Sequence, residues 1–154
     1  MIHNNKKLNN HIMKNRLLIS IFLILFFSNF TAFSKESIYL IEGIKHFENK
    51  EFDKSKILFE RDLVFNPKSE KSYLYLAKIF NKKNNPELEE LNLNTVILLN
   101  PSNEEAVFQL TLLHIKKSNY DESEKQIKKF ETICKKLCSK KSELKAKLND
   151  SLKK

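Results

Sequence analysis

Apolar residues recur every three or four positions over much of this chain of 154 residues. Two clear runs are residues 73–80 and 88–97, in which the apolar positions fall on one side of a helix. The pairs Asn66-Pro67 and Asn100-Pro101 each follow an apolar run. Proline lacks a backbone donor and disfavours helix in the residue before it, so each pair ends a helix. The pattern therefore predicts helices in pairs, separated by short turns.

The two Asn-Pro pairs lie 34 residues apart, which indicates a repeating unit of that length. Extending the period in both directions gives three copies, at residues 36–69, 70–103 and 104–137. A single helix pair cannot bury its own apolar faces, so the copies are expected to stack. The sequence therefore predicts an all-α fold built from stacked helix pairs.

The period and the residues that occupy it resemble the tetratricopeptide repeat (TPR) family. The small residue at the eighth position of each copy is Gly43, Ala77 or Thr111, and the chain has no other glycine than Gly43. An aromatic residue opens the second helix of two copies, at Phe52 and Tyr120. The resemblance implies a right-handed α-solenoid of three antiparallel helix pairs, followed by a C-terminal capping helix.

Three positions depart from the family pattern. Glu89 stands at the twentieth position, where the other copies have Ser55 and Ser123, and Asp62 stands at the twenty-seventh. Buried and unpaired carboxylates would be costly, so a one-residue shift or looser packing is expected at these two points. Lys135 replaces the proline of the third copy, so the second helix of that copy is expected to run on.

The first 34 residues have the layout of a secretory signal peptide. Four basic residues and no acidic ones precede an apolar run at 17–27, and Ala32-Phe33-Ser34 supplies small residues for cleavage. Met13 is an alternative start that makes the signal more compact. The prediction is an exported, periplasmic protein whose mature chain begins at Lys35. The alternative is an uncleaved protein, anchored in the inner membrane by residues 17–33.

Charge is distributed unevenly along the chain. The whole chain carries a formal charge of +9, and residues 135–154 hold eight lysines against two acidic residues. Only one arginine follows residue 34. A nucleic-acid-binding domain would show basic residues along a folded face, so no nucleic acid is expected as a partner. Leu144, Leu148 and Leu152 recur at four-residue spacing and predict a capping helix with a basic end over residues 138–154.

Candidate chemistry is confined to one cysteine pair. Cys134 and Cys138 are the only cysteines, and an even number in an exported protein predicts a structural disulfide. Such a bond favours a turn between the last repeat helix and the capping helix. His46 and His114 share the eleventh position of their copies with Phe80, which favours packing over metal binding. No cofactor, metal site or catalytic set is predicted, so the protein is not expected to be an enzyme.

Binding is the function class that remains. In the family that the chain resembles, the first helix of each repeat lines a concave groove. From the groove positions transferred to this sequence we select one cationic candidate, Lys78, and seven apolar ones that are expected to form a continuous strip: Leu40, Ile44, Phe47, Leu74, Phe108, Leu112 and Ile115. The fifth position of each copy is apolar (Leu40, Leu74 or Phe108), which argues against the subgroup of the family that binds chaperone C-terminal tails. The same seven residues would instead be core if the groove is narrow.

The resemblance therefore implies a non-catalytic protein–protein interaction module of the bacterial envelope, which holds a peptide or a helix in an apolar groove. Two alternatives stay open. One is a structural protein that self-associates as a homo-oligomer. The other is an accessory subunit of an envelope-assembly or cytochrome-maturation enzyme. Membrane contact is expected only if the N-terminal segment remains uncleaved.

Overall fold

Seven α-helices and one 3₁₀ turn make up most of residues 36–153, which are the residues that the computed structural model describes. The predicted signal peptide, or anchor, lies outside them. No strand occurs among the described residues, and none of their helices is both long enough and apolar enough to cross a membrane. The helices are α1 (Ile38–Glu48), α2 (Phe52–Phe65), α3 (Glu70–Lys82), α4 (Pro86–Leu99), α5 (Glu104–Lys116), α6 (Tyr120–Ile133) and α7 (Lys141–Leu152), with the 3₁₀ turn at Cys138–Lys140.

The first six helices form three antiparallel pairs that stack in chain order. Each pair packs mainly within itself, and α2 and α4 then contact the first helix of the following pair. Helix α7 packs against both α5 and α6. This arrangement confirms the predicted all-α solenoid of three helix pairs with a C-terminal capping helix.

Side-chain caps mark where three of the helices begin. The side chains of Ser37, Asn85 and Asn103 each accept a hydrogen bond from a backbone N–H three residues further on, at the starts of α1, α4 and α5. Pro86 occupies the first turn of α4, where its missing N–H costs nothing. These helix starts are therefore explained by local sequence alone.

The turn inside each pair has the same left-handed geometry. Lys50, Asn84 and Ser118 have φ values of 62°, 51° and 60°, and they occupy the same position of the three copies. In each turn the next residue donates its N–H to a carbonyl five residues earlier, which is the Schellman pattern of helix ends. Glycine usually occupies this position, but the single glycine of this chain, Gly43, lies elsewhere. The closing hydrogen bonds therefore hold Lys50 and Ser118 in a backbone conformation that their residue types disfavour, whereas asparagine tolerates it at Asn84.

Three apolar clusters form the core between the helix pairs. The first lies between α1, α2 and α3, the second between the second and third pairs, and the third between the third pair and α7. Leu144 and Leu148 of α7 are buried in the third cluster, so α7 covers the last apolar face. Leu152, at the end of the same helix, is exposed.

The first helix pair is closely packed at Gly43. A Cβ atom added there would lie 2.7 Å from Cε1 of Phe59, which is closer than real Cβ contacts. Ser55 of α2 donates a hydrogen bond from Oγ to the Gly43 carbonyl oxygen at 2.8 Å. A small residue at the eighth position therefore lets α1 and α2 approach closely.

Asp62 is buried without looser packing, because neighbouring side chains satisfy its carboxylate. It accepts hydrogen bonds from the hydroxyls of Ser37 and Ser72 and from the side-chain amide of Asn66. Burial opposes ionisation of this carboxyl, but hydrogen bonds from these residues and Ser69 outweigh it and lower the pKa of Asp62. Since Ser37 precedes α1 and Ser72 lies in α3, the carboxylate also joins the first two pairs.

Helix α6 ends at Ile133, so the expectation that it runs on past the missing proline is wrong. Cys134 has an extended backbone, with φ −60° and ψ 137°. The carboxylate of Glu104, at the start of α5, accepts backbone N–H bonds from Lys136 at 2.9 Å and Leu137 at 2.8 Å. Backbone hydrogen bonding by Leu137, Lys135 and Lys136 lowers the pKa of Glu104, and these contacts hold the chain in a non-helical turn. A carboxylate from the other helix of the pair thus stands in for the proline.

Candidate binding groove

An open cavity of about 340 Å³ lies on the side of the array formed by the first helices of the pairs. It spans all three pairs, and eight of its nine lining residues come from α1, α3 and α5. The exception is a carboxylate from α4. The cavity is lined by Phe47, Lys78, Asn81, Lys82, Glu89, Gln109, Leu112, Leu113 and Lys116.

Three of the eight predicted groove residues line this cavity. They are Phe47, Lys78 and Leu112, one from each first helix. Phe47 and Leu112 are half-buried and provide part of its apolar wall. The selected candidates therefore include a third of the lining, and Asn81, Lys82 and Lys116 occupy further groove positions of the family that were not selected.

Leu40, Leu74 and Ile115 do not form part of an exposed strip, and the expectation of one continuous apolar groove is corrected here. Their exposed fractions are 5%, 8% and 7%. Leu40 packs in the first core cluster with residues of α3, and Leu74 packs in the second with residues of α5. The following helix pair thus covers the fifth position of the copy before it. These three residues have the core role that was the alternative interpretation.

Ile44 and Phe108 are half-buried and contact the core rather than the cavity. Ile44 packs on the first cluster and Phe108 on the third. The ring centroid of Phe108 lies 6.0 Å from that of Phe130, and Nζ of Lys140 lies 6.0 Å from the Phe108 centroid. The segment that leads into α7 therefore reaches the position where Phe108 was expected to meet a partner.

The cavity is more cationic than the predicted groove. Nζ of Lys78 lies 2.7 Å from a carboxylate oxygen of Glu105 and 4.7 Å from the ring centroid of Tyr75. Lys82 and Lys116 are exposed, and Nζ of Lys116 donates to Oδ1 of Asn84 at 2.8 Å. Both lysines occupy the thirteenth position of their copies. The sequence-based selection omitted them because it favoured apolar side chains.

Glu89 places a buried carboxylate in the cavity wall. It is 3% exposed and accepts a hydrogen bond from Nδ2 of Asn81 at 2.9 Å. Burial raises the pKa of Glu89, and the effects of Asn81 and Lys116 in the opposite direction are smaller. In the other copies, Ser55 and Ser123 at this position donate to backbone carbonyls instead. Glu89, whose burial was expected to be energetically costly, therefore lies in the candidate binding site.

The cysteine pair lies apart from the cavity. Cys134 and Cys138 are joined by a disulfide whose Cα atoms are 5.1 Å apart, in the turn that links α6 to the 3₁₀ turn.

Among the histidines, His46 pairs with the carboxylate of Glu51, whereas His114 is buried with no hydrogen-bond partner for Nδ1. Within residues 36–153, no group of three or more potential metal-ligating side chains occurs.

Comparisons with known proteins support the fold but give no closer relationship. No protein-family model and no curated protein matches the sequence. The first TPR domain of Spaghetti (RPAP3), bound to the HSP90 peptide SRMEEVD, superimposes with a TM-score of 0.68 at 15% identity, covering 76% of this chain and 92% of that one. The Sgt2 TPR domain from Aspergillus fumigatus gives 0.63 at 15% identity, with 75% and 80% covered. A chain of the CopN–Scc3 complex gives 0.60 at 18% identity, with 73% and 65% covered. The described part of this chain therefore has the tetratricopeptide-repeat fold.

Proposed function

We propose that this protein is a non-catalytic protein–protein interaction module of the bacterial envelope, which binds a peptide or helical segment of another protein. The observation that carries the proposal is the open cavity that spans all three helix pairs. Pockets that combine apolar walls with a few polar groups are the usual form of a binding site. The solved Spaghetti domain holds a peptide, which supports peptide binding as a use of this fold.

The lining favours a partner segment that carries acidic and apolar side chains together. Lys82 and Lys116 are exposed cations in the lining, while the half-buried Leu112 and Phe47 supply apolar surface. An acidic segment would be attracted by the lysines, and this attraction should weaken with added salt. Apolar side chains at the centre of such an interface would carry most of the binding energy. The proposed groove is therefore mixed in character rather than apolar.

The proposed location is the periplasm, after removal of residues 1–34. The basic and apolar order of that segment supports export, and the disulfide between Cys134 and Cys138 suits an oxidising compartment. Mass analysis of protein purified from bacterial envelopes should give a chain that begins at Lys35. A chain that still contains residues 17–33 would replace this proposal with the membrane-anchored alternative.

Site-specific photo-crosslinking tests the groove in the cell. A benzophenone amino acid in place of Gln109, which lines the cavity, should give covalent adducts with another envelope protein on illumination. The matched control is the same probe in place of Thr132, an exposed residue of α6 that does not line the cavity. Equal adduct yields at the two positions would contradict the proposed groove.

Charge reversal tests the chemistry of the same site. Lys82→Glu combined with Lys116→Glu should reduce the Gln109 adduct strongly, whereas Lys128→Glu on α6 should leave it unchanged. The identity of the captured protein tests the accessory-subunit alternative. That alternative requires the partner to be an envelope-assembly or cytochrome-maturation enzyme.

A further inference from the structure

The cavity lining contains one carboxylate, that of Glu89, together with the three lysines Lys78, Lys82 and Lys116. Glu89 comes from α4, whereas the lysines come from α3 and α5, the two helices that α4 contacts. The carboxylate is buried among protein atoms, yet it belongs to the cavity wall. Its charge can therefore act on whatever the cavity holds.

The fold does not require a carboxylate at this repeat position. The equivalent residues Ser55 and Ser123 are fully buried, and each donates a hydrogen bond to a backbone carbonyl oxygen at 2.8 Å. A small neutral side chain thus occupies the same position in the first and third pairs. A buried ionisable group in a cleft, where a neutral one would suffice, is a candidate for a functional residue.

The charged groups that face Glu89 come from both helices packed against it. Lys78 and Lys82 lie on α3 and Lys116 lies on α5, and the positive charge of Lys116 acts on the Glu89 carboxyl. Lys78 is already paired with Glu105 of α5. No lysine of the described residues lies within ion-pair distance of Glu89 itself. Lys82 and Lys116 are therefore the cations that a bound acidic segment can meet, and Glu89 is the charge that opposes them.

We propose that Glu89 makes binding in this groove pH-dependent, so that an acidic segment binds more tightly when the Glu89 carboxyl is protonated. The inference rests on the proposed function, because it concerns what the same groove holds. When Glu89 is ionised, it offsets one of the two positive charges of Lys82 and Lys116 and repels an acidic side chain. When Glu89 is neutral, the two lysines act unopposed.

Burial makes Glu89 easier to protonate than an exposed glutamate. Desolvation raises the pKa of Glu89, and the opposing effects of Asn81 and Lys116 are smaller. An acidic side chain bound nearby would raise this pKa further, because like charges disfavour ionisation. Binding and protonation then promote each other, since the coupling between two binding equilibria is reciprocal. Binding of an acidic segment should therefore be accompanied by proton uptake.

The expected effect on affinity is moderate. Two unit charges about 7 Å apart, in surroundings with an effective dielectric constant of about 40, change an affinity roughly sevenfold. Dissolved salt reduces this effect. We therefore expect the affinity for an acidic segment to rise about threefold to tenfold between pH 7.5 and pH 5.

Fluorescence anisotropy with a synthetic peptide tests the proposal on the mature protein purified from the envelope. The probe is a labelled peptide that alternates leucine with cysteic acid, whose sulfonate groups stay ionised throughout this pH range. Any pH dependence of binding then comes from the protein. The wild-type protein should bind the probe about threefold to tenfold more tightly at pH 5 than at pH 7.5. Glu89→Gln should bind it at both pH values with the affinity that the wild-type protein has at pH 5.

Glu90→Gln is the matched control for this experiment. Glu90 is the next residue of α4, pairs with Lys117 and does not line the cavity, so this variant should keep the wild-type pH dependence. A pH dependence that persists in Glu89→Gln would belong to another group, such as a histidine, and would overturn the proposal. Loss of the pH dependence in both variants would also overturn it.

Calorimetry provides a second measurement, of the proton itself. Near pH 6, the enthalpy of probe binding to the wild-type protein should depend on the ionisation enthalpy of the buffer, because binding takes up protons. Glu89→Gln should show no such dependence. Probe binding with equal affinity at all pH values would overturn the role of Glu89 and leave the groove in place. Absence of probe binding would overturn this inference as well, whereas the proposed function is decided separately, by the Gln109 adducts in the envelope.

Discussion

The Glu89 carboxylate, 3% exposed in the cavity wall, accepts a hydrogen bond from the Asn81 side-chain amide at 2.9 Å. This bond links the second helix of the middle pair to the first. A single neutral donor is weak support for a buried charge. Burial accordingly raises the pKa of Glu89. The contact between α3 and α4 at Glu89 is therefore less stable when the carboxylate is ionised.

Glu89→Gln should stabilise the protein at neutral pH. Because the pKa of Glu89 is higher in the folded than in the unfolded state, its stabilising contribution is present below the unfolded pKa and is lost as pH rises through the folded pKa. The neutral amide avoids this loss, so we expect a gain of up to about 1 kcal/mol at pH 7 that shrinks towards pH 4. Urea unfolding of the variant and the wild-type protein at several pH values measures this difference in the free energy of unfolding. Glu90→Gln is the control, and an equal gain in that variant would contradict the assignment.

Asp62→Asn should have the opposite effect. The pKa of Asp62 is lowered in the folded state, so its contribution is present above the unfolded pKa and is lost as pH falls through the folded pKa. An amide cannot accept all the hydrogen bonds that the carboxylate receives from Ser37, Ser72 and Asn66. We expect a loss of about 1–3 kcal/mol at pH 7. Asp53→Asn, at an exposed site of α2, should change stability far less in the same urea experiment.

Gly43→Ala should destabilise the first helix pair. The added Cβ would lie 2.7 Å from Cε1 of the Phe59 ring, so the ring or the helix has to move. Overpacking of this kind costs about 1–3 kcal/mol. Thermal unfolding of Gly43→Ala, Phe59→Leu and the double variant forms a thermodynamic cycle. The double variant should lose less stability than the sum of the single losses, and strict additivity would show that the two residues do not compete for space.

Phe108→Gln should lower the melting temperature, because Phe108 packs on the third core cluster and on Phe130. We expect a loss of about 2–4 kcal/mol, somewhat less than for a fully buried aromatic residue. Circular dichroism melting measures the change. Gln109→Ala, at the next position but in the cavity lining, is the control and should melt close to the wild-type temperature. An unchanged melting temperature for Phe108→Gln would return Phe108 to the list of groove candidates.

The helices and their stacking follow largely from local sequence. Helix α2 ends at Phe65 and α4 at Leu99, each just before an Asn-Pro pair, because proline acts on its immediate neighbours. The apolar period similarly identifies the buried side of each helix. The single glycine marked a close helix approach at Gly43, although only the structure identified Phe59 as the residue that approaches.

What the tertiary structure decided is which neighbour covers each side chain. The fifth-position leucines Leu40 and Leu74 lie on the helix face that the family pattern indicates, but the following pair buries them. The end of α6 depends on Glu104, a carboxylate from α5 about 30 residues earlier in the chain. Asp62 and Glu89 are both acidic residues at repeat positions where the family usually has a small residue, yet their pKa values shift in opposite directions. The reason is physical: periodicity reports the direction of a side chain from its own helix, whereas burial, hydrogen bonding and charge depend on residues that only folding brings near.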